Sequence, residues 1–284
     1  ALSISGIGIA TGGVMVTLVG WMMQSYGWRM TAVASSLLIL VVGWPLARVV
    51  RRSPSDVGET VDGLPAGAAG DDSSGKPAMP AEAEFSARQA LRTRAFWLLA
   101  VAHAFALLVV TSVNIHAISH LTQGLHYSLT QASFVIALLT VSQTMGVGLG
   151  VLIGDRWEKR YVVAWCMVAH MVGLLMLTYA TNPLMVGAFA VLHGMAWGLR
   201  GPLMQALRAD YFGLQAIGVI MGLSAFIISI GQVAGPMVAG VMADITGNYR
   251  AGFTVMALIA GSGSLLFAMA KRPVSTHRVL APAA

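Results

Sequence analysis

A chain of 284 residues with 57% apolar residues, 10% charged residues and 32 glycines carries too little charge for an ordinary soluble protein of its size. Its formal net charge of +6 would suit nucleic acid, but the basic residues fall in blocks between apolar runs and build no solvated basic face. The single cysteine, Cys166, excludes an intrachain disulfide and a cysteine metal cluster, and its apolar neighbours mark it as a packing residue.

Eight apolar runs follow one another, near residues 1–24, 29–50, 95–121, 128–153, 161–181, 184–207, 217–243 and 250–270. Each is roughly 20 residues or longer, and a rise of about 1.5 Å per residue carries such a helix across a hydrocarbon core of about 30 Å. The expected fold class is therefore an all-α membrane protein with eight transmembrane helices. The first run has no initiating Met, basic leader or cleavage pattern, so it reads as a cut edge and not as a signal peptide. Its sequence returns 220 residues later in run seven: Gly20 matches Gly240, Met22 matches Met242 and Gly27 matches Gly247, followed by Arg29 or Arg250. A repeat six helices long implies two six-helix halves, which makes the eight helices numbers 5–12 of a twelve-helix bundle. On this reading residues 1–50 are the last two helices of the N-terminal half and 51–93 a cytoplasmic linker. Residues 94–272 form the complete C-terminal six-helix bundle, 273–284 a cytoplasmic tail, and four N-terminal helices are missing.

Numbering the loops alternately sorts the charges. Arg48, Arg51, Arg52, Lys76, Arg88, Arg92 and Arg94 follow run two, Arg156, Lys159 and Arg160 follow run four, Arg208 follows run six, and Lys271, Arg272 and Arg278 follow run eight. Only Arg29 and Arg250 are assigned to the other side, and Arg200 is inside a run. This bias puts the linker and the C-terminus in the cytoplasm. Residues 51–93 change to Pro, Gly, Ala, Ser and mixed charge, a solvated segment whose end, Glu84 to Arg94, can form a short interfacial helix leading into Phe96 and Trp97.

Run four ends in Gly150-Val-Leu-Ile-Gly154-Asp155-Arg156-Trp-Glu-Lys159-Arg160. This segment resembles the cytoplasmic loop signature of the major facilitator superfamily, which lies between helices two and three and again between helices eight and nine. Glu158 stands where the pattern has Gly, and Gly150 is one position too far from Asp155. The resemblance implies a gate in which Asp155, Arg156 and Arg160 make contacts present in only one access state; the alternative is a solvated loop obeying the charge rule. Arg52-Ser-Pro54-Ser-Asp56-Val-Gly58, Asp62-Gly63 and Ala90-Leu-Arg92-Thr-Arg94-Ala-Phe96-Trp97 resemble the linker and helix-seven start of the oxalate/formate antiporter and monocarboxylate carrier group. Arg200-Gly-Pro202 and Ala209-Asp210-Tyr-Phe212-Gly213 are similar to its helix-ten region. The resemblance covers essentially the whole chain and implies small organic acids as substrates.

In run seven Gly231 and Gly235 share a helix face, followed by Pro236 and Gly240. Small residues at this spacing let helix backbones approach closely in lipid, so Gly231, Gly235, Pro236 and Gly240 read as helix-packing residues, with Pro236 a source of bending. Runs four and seven hold no Lys or Arg, and no Asp or Glu lies inside any run.

Arg200 is then the one fixed charge inside a run, and burying it costs at least a few kcal/mol, which makes it a functional candidate. His193, Trp197 and Arg200, at i, i+4 and i+7, form one helical face expected to bind substrate. The competing reading makes Arg200 a clamp on carbonyls near the Gly201-Pro202 break, or part of an inner gate with Asp210. Asn114, Gln143 and Gln232, near mid-membrane on runs three, four and seven, can orient a carboxylate, although buried amides more often serve packing. His116 and His120 have metal-ligand spacing but no accompanying carboxylate and read as interfacial histidines. His170 reads as a helix contact, and His103 is left open.

No nucleophile elbow, Walker lysine or dinucleotide fingerprint occurs, so no enzyme, cofactor or metal is expected. The expectation is a multi-pass protein of a bacterial inner membrane, moving a small-molecule organic anion by alternating access, with the lipid bilayer and the missing N-terminal helices as its other partners. A multidrug-type efflux carrier, favoured by the 17 Met, and a non-transporting membrane sensor of the same fold are the alternatives.

Overall fold

The computed structural model describes residues 19, 22, 25–49, 85–154 and 156–274. They divide between two units, with 25–49 in one and 85–274 in the other. The first apolar run lies largely outside the described residues. Seven helices among the described residues are long and apolar enough to cross a membrane.

The first unit contains α1, Ser25–Arg48, which includes a π-helical turn at Ile39–Gly43. The Arg29 guanidinium lies 4.7 Å from the Trp28 ring centre and that of Arg48 5.5 Å from the Trp44 ring. Trp and Arg thus bracket the apolar stretch at both ends, the residues that suit a bilayer interface. Gly27 has φ 76° and its repeat mate Gly247 has φ 75°, a left-handed conformation that favours glycine. The repeat therefore extends from residue identity to the local turn.

The second unit opens with α2, Ala87–Arg92, started by a capping box between Ser86 and Gln89. The six long helices are α3 (Arg94–Gly124), α4 (Leu129–Ile153), α5 (Lys159–Thr178), α6 (Pro183–Phe212), α7 (Ile217–Thr246) and α8 (Arg250–Met269). Their starts follow local chemistry. Thr93 caps α3, Ser128 and Gln131 form a capping box on α4, and the Asn182 side chain accepts from Met185 N–H where Pro183 begins α6. Residues 85–93, read from the sequence as the end of the linker, pack on the helices: Phe85 N–H donates to the Phe212 carbonyl at 3.0 Å, and the two rings meet edge to face.

The packing has a hidden symmetry. The chief helix contacts are α4 on α6 with its counterpart α7 on α3, α5 on α6 with its counterpart α8 on α3, and α5 on α8. Exchanging the triplet α3-α4-α5 with α6-α7-α8 maps this set onto itself. Three helices per triplet also reverse the chain direction, so the unit is a three-plus-three inverted repeat.

Glycines bring the paired helices together. A Cβ on Gly194 or Gly198 of α6 would strike the α4 backbone at Leu139 and Gln143, and one on Gly146 of α4 would strike α6 at Met195. Across the symmetry, a Cβ on Gly231 or Gly235 of α7 would strike the α3 backbone at Ala104 and Leu108. The opposite faces of α4 and α7 are exposed along apolar stripes, Phe134, Leu138, Val141 and Met145 on one and Phe226, Ile230, Val233 and Met237 on the other.

Candidate functional site

α6 carries two buried arginines, Arg200 and Arg208. Arg200 is 1% exposed and His193 fully buried, and both lie roughly 120–160° around the axis from the glycine face that packs on α4. His193 faces α5, where its Nδ1 lies 3.1 Å from Nδ1 of His170, so one ring donates and the other accepts. Cys166, also on α5, His170, His193 and His103 on α3 all lie within electrostatic range of Arg200. Arg200 Nε and Nη1 have no hydrogen-bond partner among the described residues. No described carboxylate pairs with it either, since the two ion pairs found are Lys159–Asp210 and Arg160–Glu158. A buried cation without a carboxylate is costly and gives the interior between α3, α5 and α6 a positive potential.

A second buried cation lies about two turns further along α6. The sequence places Arg208 in a cytoplasmic loop after residue 207; in the structure α6 continues to Phe212, where Gly213 at φ 75° ends it, and Arg208 is 4% exposed. Its Nη2 donates to His103 Nδ1 at 2.9 Å. Because arginine only donates, His103 Nδ1 must be unprotonated, which makes the ring neutral with its proton on Nε2. Arg200 is thus not the one fixed charge inside the helices, and His103, open from sequence, acquires a partner. Replacing His103 with Leu removes the acceptor and is expected to destabilise the protein by about 2 kcal/mol. His103→Gln, which keeps an acceptor, should lose less; equal apparent melting temperatures for His103→Leu and the unaltered protein would refute this.

The other expected substrate residues are spread over four helices of the unit. Trp197 is half-buried and packs against the core, while Asn114 on α3 is exposed. Gln143 on α4 is half-buried at the Gly198 crossing, and Gln232 on α7 is half-buried, its backbone carbonyl accepting from Thr111 Oγ1 at 3.1 Å. The wall of α6 beside Arg200 is Gly201, where a Cβ would meet nothing within 4 Å, and exposed Gln205.

Of the expected gate, Asp155 lies outside the described residues and Arg156 is exposed. Arg160 pairs with Glu158 at 2.7 Å, and Asp210 pairs with Lys159 at 2.8 Å, a residue not singled out from sequence. The second pair ties α5 to α6 within one unit. Near the far end, His116 Nε2 lies 3.0 Å from the carbonyl of Pro236 and His120 Nε2 3.1 Å from that of Leu177, so the two rings serve different helices. Gly240 lies beside the His116 ring. Among the described residues no group of three His, Cys, Asp or Glu is placed to hold a metal ion.

The family model for the Major Facilitator Superfamily matches residues 99–283. The chain belongs to the major facilitator superfamily. It is a multi-pass integral membrane protein of a transporter family. It is 28% identical over 158 residues to monocarboxylate transporter 13 of Rattus norvegicus, covering 54% of this chain and 36% of that protein. It is also 28% identical over 111 residues to a multidrug resistance protein B homolog of Mycobacterium tuberculosis, covering 39% of this chain and 20% of that one. Monocarboxylate transporter 7 of Homo sapiens matches at 28% over 127 residues, 43% of this chain and 24% of the relative. The chain therefore spans well under half the length of the curated relatives it matches.

Proposed function

We propose that this superfamily member is a secondary carrier of small organic anions, carboxylates above all, working by alternating access and doing no chemistry on its cargo. The observation that carries the reading is Arg200, a fixed positive charge at 1% exposure whose Nε and Nη1 have no protein partner among the described residues. Its face turns toward α5, and cargo passing the Gly201–Gln205 side of α6 would feel its charge through that wall. A unit charge about 8 Å away still contributes roughly 2 kcal/mol at an effective dielectric constant of about 20, enough to favour an anion over a neutral analogue. Arg208 adds a second charge to the same field. Trp197, Asn114, Gln143 and Gln232 supply a ring and amides that would orient the cargo, with His193 supporting Arg200. Asp155, Arg156, Arg160 and Asp210 would form the inner gate, at the cytoplasmic face of a bacterial inner membrane.

A second reading, efflux of amphipathic compounds, is favoured by the multidrug resistance relative and by the 17 Met. Liposomes holding the full-length protein separate the two. Saturable uptake of labelled mono- or dicarboxylates, competed by other carboxylates and indifferent to ethidium, is the expected result. Ethidium transport without carboxylate uptake would establish the second reading, and no transport of either would leave a sensor with a transporter's fold.

A further inference from the structure

A groove of about 340 Å³ opens where the start of α3 meets the end of α8, lined by Arg94, Ala95, Leu98, Met269 and Lys271. The geometry points to a binding site for one anionic phospholipid here, a phosphodiester head between Arg94 and Lys271 with its first methylenes on Leu98 and Met269. The site stands apart from the carboxylate reading and shares no residue with it.

The floor is apolar: Ala95 is buried, Leu98 half-buried, and Met269 exposed enough to receive an acyl chain. Both basic heads are exposed, neither is in an ion pair, and no carboxylate lines the groove among the described residues. The positions of the heads are built into the fold. Arg94 is the first residue of α3, directly after its Thr93 cap, and the end of α8 is pinned by Tyr211, whose hydroxyl donates to the Ala270 carbonyl at 2.6 Å. Lys271 leaves the helix from that pinned point. Two cations are thereby held at the polar edge of a spanning helix pair, the depth at which a lipid phosphate lies, and basic pockets between membrane helices select such heads.

A general excess of positive charge on this side would scatter cations over the loops, but here two line one groove. The inverted repeat supplies an internal comparison. The start of α3 and end of α8 correspond to the start of α6 and end of α5, where Pro183, Leu184, Tyr179 and Ala180 carry no charge. The fold repeats the meeting of helix ends, and of these two meetings only the one at Arg94 and Lys271 has the charges.

The test offers full-length protein in detergent equal amounts of phosphatidylglycerol and phosphatidylcholine, and counts retained lipid by native mass spectrometry. One phosphatidylglycerol should be retained in preference to phosphatidylcholine by about 30-fold, the factor expected for two basic heads near an anionic lipid. Arg94→Gln with Lys271→Gln should bring the ratio near parity. Leu98→Trp, which fills the floor and keeps both charges, should also abolish retention, so two unlike variants carry the test if one fails to fold. Arg88→Gln with Arg92→Gln, which removes two exposed cations of α2 outside the lining, should leave the preference intact. Parity in the unaltered protein, an unchanged ratio in the groove variants, or an equal loss in the α2 variant would overturn the assignment. So would displacement of the lipid by equimolar glycerol phosphate, which would mark a site for soluble phosphate.

Discussion

Gly198→Ala is expected to cost the protein about 3 kcal/mol or more and to remove most of its monodisperse, folded fraction, the largest effect of any single methyl group in the unit. The added Cβ would fall on the backbone at Gln143, and a carbonyl held in a helix cannot turn aside as a side-chain tip can. To accept it, α4 and α6 must separate along a crossing that Gly146 and Gly194 also keep close, forfeiting contacts on both sides of the new methyl. The symmetry extends the expectation to Gly231→Ala and Gly235→Ala at the α7–α3 crossing. Gly187→Ala, Gly201→Ala and Gly222→Ala are the controls, since nothing lies within 4 Å of a Cβ there and a better helix former should be neutral or mildly stabilising. Size-exclusion profiles and apparent melting temperatures distinguish the two sets, and a Gly198→Ala protein as stable as its parent would show that the crossing is looser than described.

These crossings explain why so much of the fold was legible. In lipid every backbone polar group must be satisfied within its own segment, so an apolar run of sufficient length has one solution, a helix. The runs from residue 29 onward accordingly found their helices with ends displaced by a few residues. The largest miss at a C-terminal end, at α6, has a specific cause. A hydropathy reading treats Arg208 as a boundary because water is its expected partner, whereas the structure supplies His103 from a helix 105 residues away in sequence. Nothing local to Arg208 announces that acceptor.

The candidate site was legible only in part, for a related reason. The spacing of His193, Trp197 and Arg200 puts them on one side of a helix, but periodicity says nothing about which neighbour that side meets. The glycines held the missing information. Gly194 and Gly198 mark the face of closest approach to another backbone, and Arg200 lies well around the helix from both. The side of α6 away from its small-residue stripe is the side that meets α5, through His193 and His170. The loop residues offered no such guide: Lys159 and Asp210 pair across 51 positions by a meeting of helix ends that no motif encodes.

Arg200→Met is expected to do two things that ordinarily exclude each other: stabilise the protein and abolish anion transport. Arg200 is 1% exposed, its Nε and Nη1 lack protein partners among the described residues, and Arg208 adds a like charge on the same helix. Exchanging an unpaired buried charge for an apolar chain of similar length removes a desolvation cost, and replacements of buried charges by well-packed apolar residues gain about 1–4 kcal/mol in favourable cases. The apparent melting temperature should therefore rise. Uptake of carboxylates should fall to background, because the positive potential behind the Gly201–Gln205 wall loses its main source, while Arg200→Lys, which keeps a charge, should retain part of it. The paired readout separates the competing roles. If Arg200 were a structural clamp near the Gly201-Pro202 step, Arg200→Met would lower the melting temperature and lose transport through misfolding. A stabilised Arg200→Met protein that still carried carboxylates would remove the charge from the mechanism altogether. The combination of higher stability with lost uptake is the signature of a residue kept at a cost to the fold for the sake of its ligand.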